Sequence, residues 1–395
     1  MAYLKVTIDS SLIDSDLTNF PVGIKIDSSD SILSGLGSTD YEGFHFLVYG
    51  AECYAEVDIW DMTGEEAIVW VKVPTVSSSS DTVIKIYNLG DDNTAYVGLT
   101  GSTPAQTVWD SSYSLVLHMS QDPSGGAGSI LDSTSNGFDM TPGGTMTSGD
   151  LVDSGFGKAL DFDGSDDNLT RADDNLLDIA TSDSFTIEAY FNCSTTGRND
   201  CLTDKRTSPG IGYILGVKTT TNYANFYLRD SGGHIVDNLG TTALTRDGTT
   251  YYLAAGRLDR STNLSSLFLN DSKDSTDLST STIGNCSNTN SLYMADNSMS
   301  SSWTNFLGKI SEYRISKIAR SDAWIKANYY NLSGLLISKS NTQILPEYYY
   351  GKISISGKYV NILSIRLLEK GRWRNVDDVY MLNDGDWRLN IKTEI

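Results

Sequence analysis

Residues 56–61, with the sequence EVDIWD, place three carboxylates in one short segment of strand-forming residues. Side chains alternate between the two faces of a strand, so Glu56 and Asp58 project from the same face. Two such carboxylates are what glycoside hydrolysis needs, one as nucleophile and one as acid/base. The third carboxylate is Asp61, whose short arm would misplace an acid. We therefore expect a solvated strand face with Trp60 packed inward, and no catalytic residue.

The sequence also gives no indication of a catalytic nucleophile or of a zinc site. The histidines lie far apart and carry none of the local motifs of a catalytic triad or a phosphate-binding loop: His45, His118 and His234. The cysteines have no CxxC spacing and no histidine cluster nearby: Cys53, Cys193, Cys201 and Cys286. We expect free thiols, although a bridge between Cys193 and Cys201 across a hairpin is a second interpretation.

Residues 161–168, with the sequence DFDGSDDN, form an acidic turn directly after a predicted strand. Carboxylates and amides in such loops supply the six to eight oxygens that Ca²⁺ prefers, although the spacing is not that of an EF-hand. The alternative is a polar turn closed by Asx hydrogen bonds.

Sugar binding would require aromatic rings near loops, and four fit that description: Tyr223, Tyr227, Tyr293 and Trp303. Aromatic residues in strands belong more often to the core, which is the competing interpretation for each of them.

The charge excludes some partners. The formal net charge is −21, which repels phosphate backbones and anionic membranes, so we expect no nucleic-acid binding.

No segment approaches the roughly 18 apolar residues of a membrane span, so we expect no membrane insertion. The N-terminal residues show no secretory signal, and we therefore expect folding in a cytoplasm. For a protein that acts outside a cell, release by a lytic virus is one route.

Short apolar runs of six or seven residues separated by turn residues predict an all-β protein. Its length of 395 residues suggests two to four domains. We predict a β-sandwich over residues 1–105, a jelly roll over 106–345 and a small hairpin domain over 346–395. A helix is predicted only over residues 321–330, with Ser321 as its N-cap.

The predicted third domain contains a short repeat. Gly371-Arg-Trp-Arg and Gly385-Asp-Trp-Arg are two copies of one phrase, separated by a second strand-like run. Such a unit is too short to be expected to fold alone. We expect Trp373 and Trp387 to anchor these hairpins to a neighbouring domain or subunit during assembly.

Two family resemblances cover most of the chain. The phrases FPVG at residues 20–23 and WVKVP at residues 70–74 resemble a bacterial and viral domain of unknown function that is fused to jelly rolls. Residues 157–164 (GKALDFDG) and 308–315 (GKISEYRI) resemble the laminin-G-like, concanavalin-A-like jelly roll. Relatives of that family often hold one Ca²⁺ at a rim, which the resemblance assigns to Asp163, Asp166 and Asp167 with Asp296 and Asn297.

The C-terminal repeat resembles small Trp-containing repeats of bacteriophage tail and other virion proteins. Together these features predict a bacteriophage virion structural protein, either tail-associated or decorating the capsid surface. Its expected partners are other virion proteins, host-surface glycans and further copies of itself. The alternatives are a bacterial surface adhesin or carbohydrate-binding protein and, less favoured, a glycan hydrolase.

Overall fold

The structure is a computed structural model that describes residues 2–297, 299 and 303–343, together with the backbone of six strands between residues 350 and 390. Within these residues the regular elements are strands, two α-helices and six single 3₁₀ turns. The prediction of an all-β fold is therefore confirmed. The helices are α1 (Thr103–Val108) and α2 (Asp322–Leu332). The 3₁₀ turns are Ser10–Leu12, Ser31–Leu33, Asp40–Gly43, Pro123–Gly125, Ser148–Asp150 and Asn175–Leu177.

Two sheets whose strands are mostly antiparallel form one structural unit, which we call the first unit. Sheet 1 has the strand order β26 (Ile337–Gln343), β1 (Ala2–Ile8), β7 (Thr82–Asn88), β3 (Phe44–Val48) and β4 (Ala51–Glu52). Sheet 2 has the order β2 (Leu17–Ile26), β6 (Glu66–Val76), β5 (Ala55–Asp61) and β8 (Val97–Leu99). Buried apolar residues of the two sheets form one core, for example Leu4 and Val6 of β1 with Val22 and Ile24 of β2, so the sheets pack face to face.

Two larger sheets form the jelly roll. Sheet 3 has the order β11 (Leu151–Asp153), β12 (Lys158–Asp163), β25 (Leu307–Ser316), β14 (Phe185–Cys193), β19 (Tyr252–Asp259), β20 (Leu264–Leu269) and β21 (Ser272–Lys273), with β9 (Tyr113–Leu117) beside β25 and β22 (Leu278–Ser279) beside β20. Sheet 4 has the order β10 (Thr141–Gly143), β13 (Asn168–Arg171), β23 (Leu292–Met294), β15 (Asp200–Thr207), β16 (Ile211–Val217), β17 (Ala224–Arg229) and β18 (Ile235–Leu239), with β24 (Thr304–Asn305) beside β15.

Sheet 3 is covered on both faces. Every residue of β14 is buried, which is the pattern of a strand between two packed layers. Phe191 and Ala254 belong to the core shared with sheet 4, whereas the alternate residues Tyr190 and Leu253 belong to the core of the first unit. The four sheets are therefore stacked in the order 1, 2, 3, 4, and sheet 4 is the outer layer of the jelly roll.

Helix α2 joins the two units. The hydroxyl of Ser321 accepts a hydrogen bond from the backbone N–H of Trp324, so the predicted helix and its N-cap are confirmed. The prediction that this is the only helix is wrong, because Thr103–Val108 is also helical. The Trp324 ring packs edge-on against Phe20 of β2 at 4.9 Å. The backbone N–H of Gly23 donates to the side-chain carbonyl of Asn331 at 3.1 Å. These contacts bind the end of the jelly roll to sheet 2.

The chain returns to the first unit after the jelly roll. Strand β26 pairs antiparallel with β1, and Ala2 lies opposite Gln343. The predicted domain boundaries at residues 105 and 345 stay predictions. Beyond residue 349 the described backbone forms three hairpins, β27 (Tyr350–Ile355) with β28 (Lys358–Leu363), β29 (Arg366–Glu369) with β30 (Arg372–Asn375), and β31 (Asp378–Met381) with β32 (Trp387–Asn390). No helix in the described part of the chain is long and apolar enough to cross a lipid bilayer.

Candidate functional site

The outward-facing side of sheet 4 is the broad face of the jelly roll that the first unit leaves uncovered. In β17, Phe226 and Leu228 point into the jelly-roll core. Because side chains alternate along a strand, Asn225, Tyr227 and Arg229 point outward. We call the outward-pointing side of β15, β16, β17, β18 and β23 the outer face.

Tyr227 is half-buried at the centre of β17 and lies opposite Asp237 of the edge strand β18. Asp237 is exposed and accepts a hydrogen bond from the side-chain amide of Asn225 at 2.6 Å. The side-chain oxygen of Asn225 and the Nε of Arg229 have no hydrogen-bond partner among the described residues. Unpartnered buried polar atoms are uncommon in native proteins. An unmatched acceptor and an unmatched donor therefore flank the Tyr227 ring.

A buried ion pair supports the Tyr227 ring from β15. The guanidinium of Arg206 lies 5.8 Å from the ring centroid and donates to both carboxylate oxygens of Asp204 at 2.8 Å. Burial lowers the pKa of Arg206, but the hydrogen bonds and charge of Asp204 outweigh burial and raise it. Asp204 in turn lies opposite Tyr293 of β23, which is half-buried on the same face.

Trp303 covers part of the outer face. Its side chain is only 5% exposed and shares a small core with Cys201 and Ile214. The ring lies against Gly216, where an added Cβ would stand 2.4 Å from it. The Nζ of Lys218 lies 4.3 Å from the Trp303 ring centroid, and burial lowers the pKa of that amine. Trp303 therefore makes its contacts within the protein.

Tyr223, the fourth predicted sugar contact, is half-buried at the turn between β16 and β17. Its backbone carbonyl accepts a hydrogen bond from the N–H of Lys218 at 2.9 Å. All four predicted aromatic residues thus lie on or beside the outer face, and the three tyrosines are the more accessible ones.

The three aspartates of the predicted calcium loop do lie together. Oxygens of Asp163, Asp166 and Asp167 lie within 4.8 Å of one another. Asp163 accepts hydrogen bonds from the backbone of Ser165 and Asp166, and both Asp167 oxygens accept backbone N–H groups. The donor set is hard oxygen, which suits Ca²⁺, although part of its capacity is already used by the turn.

The other two predicted metal ligands lie outside this carboxylate group. Among the described residues, Asp296 is not one of the carboxylates that cluster with Asp163. The backbone carbonyl of Asp296 accepts the Cys201 thiol at 3.0 Å. The side-chain amide of Asn297 donates to the backbone of Trp303 at 3.0 Å. Both residues thus belong to the segment that covers the outer face.

The expectation of a solvated face around Glu56 is wrong. Glu56 is completely buried between β5 and the jelly roll, because sheet 2 packs there on sheet 3. Its carboxylate accepts hydrogen bonds from Nε1 of Trp109 at 2.5 Å and from the hydroxyl of Ser133 at 2.7 Å. Burial opposes ionisation, but His118 and these hydrogen bonds lower the pKa of Glu56. Trp60 is only partly buried and packs edge-on against Phe44 at 5.3 Å.

His118 is the residue that sequence reasoning missed at this position. Its Nδ1 lies 2.6 Å from Glu312 and its Nε2 lies 3.5 Å from Glu56, which is 62 positions away in sequence. Burial lowers the pKa of His118, but Glu312, Asp58 and Glu56 outweigh burial and hold it well above its usual range. The one signal in the sequence was a histidine directly after the buried strand β9.

The remaining predicted sites concern cysteines and tryptophans. All four cysteines are free and buried, as the sequence predicted: Cys53, Cys193, Cys201 and Cys286. Burial raises the pKa of Cys53 and Cys193 to about 11. Trp373 and Trp387 lie in strands whose side chains fall outside the described residues, so their assembly role stays a prediction.

Comparison with known proteins identifies one domain. Residues 163–326 match the family model of the concanavalin A-like lectin/glucanases superfamily. A jelly roll of this superfamily is therefore present in the chain. No curated protein matches the sequence.

Comparison with solved structures finds similarities at low sequence identity. One is the binding domain of Paraclostridial Mosquitocidal Protein 1, at 11% identity and a TM-score of 0.45 over 71% of this chain and 73% of that chain. Another is the botulinum neurotoxin serotype D ligand binding domain in complex with N-acetylneuraminic acid, at 10% identity and a TM-score of 0.43 over 73% of this chain and 81% of that chain.

Proposed function

We propose that this chain is a non-catalytic structural protein of a bacteriophage particle, tail-associated or on the capsid surface, whose jelly roll binds host-surface glycans through the outer face. The observation that carries the glycan site is Tyr227, whose half-buried ring lies on the outer face opposite the exposed carboxylate of Asp237. A sugar ring can stack on the tyrosine while its hydroxyls donate hydrogen bonds to this carboxylate.

The pairing of β1 with β26 supports attachment to a particle from one side. Residue 2 and residue 343 are paired at one end of sheet 1, and the C-terminal hairpins follow from there. The jelly roll lies on the other side of sheet 2. A particle that holds the first unit by sheet 1 would present the jelly roll outward, and several copies together would strengthen weak glycan contacts.

Burial of Glu56 supports the non-catalytic interpretation. A nucleophile or acid must reach its substrate, but Glu56 is enclosed by Trp109, Ser133 and His118. A glycan hydrolase would therefore need its carboxylates elsewhere in the chain.

Calcium is the cofactor that we propose for the loop of Asp163, Asp166 and Asp167. Bound Ca²⁺ would neutralise the mutual repulsion of these carboxylates and stiffen the loop between β12 and β13. Thermal unfolding with and without EDTA tests this point directly. We expect Ca²⁺ to raise the melting temperature of the wild-type protein and to leave that of Asp166→Asn nearly unchanged, and an equal response of both would contradict the assignment.

A glycan array of host-surface polysaccharides tests the proposed function. We expect the purified protein to bind a subset of these glycans and Tyr227→Ala to bind at least tenfold more weakly. Tyr49→Ala is the matched control, because Tyr49 is 71% exposed on the first unit. Equal loss in both variants, or no glycan binding by the wild type, would contradict the outer face as the site. Failure to find the protein in purified particles of its source would contradict the virion assignment.

A further inference from the structure

The contact between the first unit and the jelly roll contains ionisable groups that neither unit would bury alone. Sheet 2 contributes Glu56 and Asp58 from β5, and the jelly roll contributes His118, Glu312 and Arg314. We call these five residues the inter-unit cluster. Aromatic rings enclose it: Trp70 stacks on the imidazole of His118 with 4.9 Å between ring centroids and 13° between planes.

The cations of the inter-unit cluster are tightly held. The guanidinium of Arg314 lies 4.7 Å from the Trp70 ring and 5.0 Å from the Trp109 ring, and it donates to Glu312 at 3.0 Å. The imidazole of His118 lies between Glu312 and Glu56. His118 and Arg314 together therefore match the two carboxylates that they contact directly.

The neighbouring elements add no unmatched charge. Strand β14 contributes Glu188, which accepts a hydrogen bond from Asn328 at 2.9 Å and whose pKa is raised by burial. The residue before α2's N-cap, Arg320, forms a two-point ion pair with Asp110 at 2.8 and 3.0 Å. Asp58 is thus the one member of the inter-unit cluster whose ionised form has no cation of its own.

Asp58 lies at a β-bulge in β5, where the pairing with β6 shifts between Val57 and Ile59. It is half-buried, and its carboxylate accepts a hydrogen bond from the hydroxyl of Ser120. Burial raises its pKa to about 7; His118 and Ser120 oppose this rise, while Glu56 and Glu312 reinforce it. The carboxyl group therefore changes its charge in a range of pH that a protein meets in ordinary surroundings.

We propose that Asp58 makes the contact between the two units sensitive to pH: with a proton on Asp58 the inter-unit cluster is electrically balanced, and loss of that proton leaves an unmatched, half-buried anion that weakens the contact. The direction follows from linkage. A carboxyl whose affinity for protons is higher in the folded protein stabilises the fold at low pH, and that contribution is lost as pH rises toward neutrality.

Urea unfolding of the full chain between pH 5 and pH 8.5 tests the proposal. We expect the wild-type midpoint to fall as pH rises through about 7, and the midpoint of Asp58→Asn to stay nearly constant. Asp61→Asn is the matched control on the same strand, because Asp61 is exposed and should retain the wild-type response. Parallel pH responses of the wild type and Asp58→Asn would overturn the proposal.

Hydrogen exchange locates the effect. After correction for intrinsic rates, we expect the amides of residues 55–61 and 113–121 to lose at least tenfold in protection between pH 6 and pH 8.5 in the wild type, while those of β16 and β17 do not change. Ser120→Ala removes a hydrogen bond that favours the ionised carboxylate and should move the transition to higher pH. Loss of protection that is uniform over the chain, or no shift in Ser120→Ala, would overturn the proposal.

Discussion

Replacement of Arg314 by methionine should destabilise the folded protein strongly, because the guanidinium is one of the two cations that Glu312 contacts in the interior, the other being His118. Arg314 is 2% exposed and donates to Glu312 at 3.2 and 3.0 Å and to Asn328 at 3.1 Å. Burial lowers its pKa, but Glu312 outweighs burial and raises it. Methionine fills part of the space between Trp70 and Trp109 but leaves a buried carboxylate without this partner.

The expected magnitude follows from the class of contact. Removal of one partner of a buried ion pair costs about 3–5 kcal/mol in the free energy of unfolding. Unfolding entropy is about 2.1 cal/mol/K per residue. For the roughly 340 residues from Ala2 to Gln343, a loss of about 4 kcal/mol would therefore lower the melting temperature by about 6 °C.

The assay is urea unfolding followed by tryptophan fluorescence, with two comparison variants. Lys158→Met removes a pair with Asp153 whose side chains are 31% and 82% exposed, so it should cost less than about 1 kcal/mol. Adding Glu312→Gln to Arg314→Met removes the unmatched carboxylate and should recover about 1–2 kcal/mol. A loss in Arg314→Met no larger than that in Lys158→Met, or a double variant no more stable than the single one, would refute the reasoning.

Three further predictions concern other parts of the molecule. Gly216→Val should push Trp303 away, since its added Cβ would stand 2.4 Å from that ring. We expect a red-shifted fluorescence maximum and a loss of about 1–3 kcal/mol in the free energy of unfolding. An unchanged spectrum would contradict the contact. Hydrogen bonds from Ser29 lower the pKa of Asp27 to about 2. The contribution of the ionised Asp27 to stability therefore exists above about pH 4 and is lost as pH falls toward 2. Asp27→Asn should lower the melting temperature at pH 7 but not at pH 2. The four buried thiols should react with a thiol reagent only after unfolding, and rapid reaction of the native protein would contradict their burial.

Several elements were predictable from local sequence because local physics determines them. The alternation of apolar and polar residues identified the strands of sheets 1 and 2, and Ser321 marked the start of α2. The DFDGSDDN turn predicted that Asp163, Asp166 and Asp167 would lie close together, because residues so near in sequence after a strand cannot separate far. The outward direction of Tyr227 follows from the same alternation once Phe226 is assigned to the core.

The inter-unit cluster could not be predicted in the same way. His118 and Glu56 are 62 positions apart, and Glu312 is 194 positions from His118. No local sequence pattern shows that these three side chains meet, because their contact depends on how sheet 2 packs on sheet 3. The sequence pattern also placed Glu56 on a solvated face, since alternation identifies the two faces of a strand but not what covers each of them.

The sequence by itself thus determined the β architecture, the acidic loop and the resemblance of the central domain to concanavalin-A-like jelly rolls, whereas it left a bridge between Cys193 and Cys201 open. These properties depend on local periodicity, on turn chemistry and on short phrases that resemble those of the family. Tertiary structure alone decided that sheet 3 is buried on both faces, that the first unit leaves the outer face of sheet 4 uncovered, and that EVDIWD lies in a contact between units. The reason is physical: burial of a face is a property of the layer that packs against it, and that layer comes from a distant part of the chain.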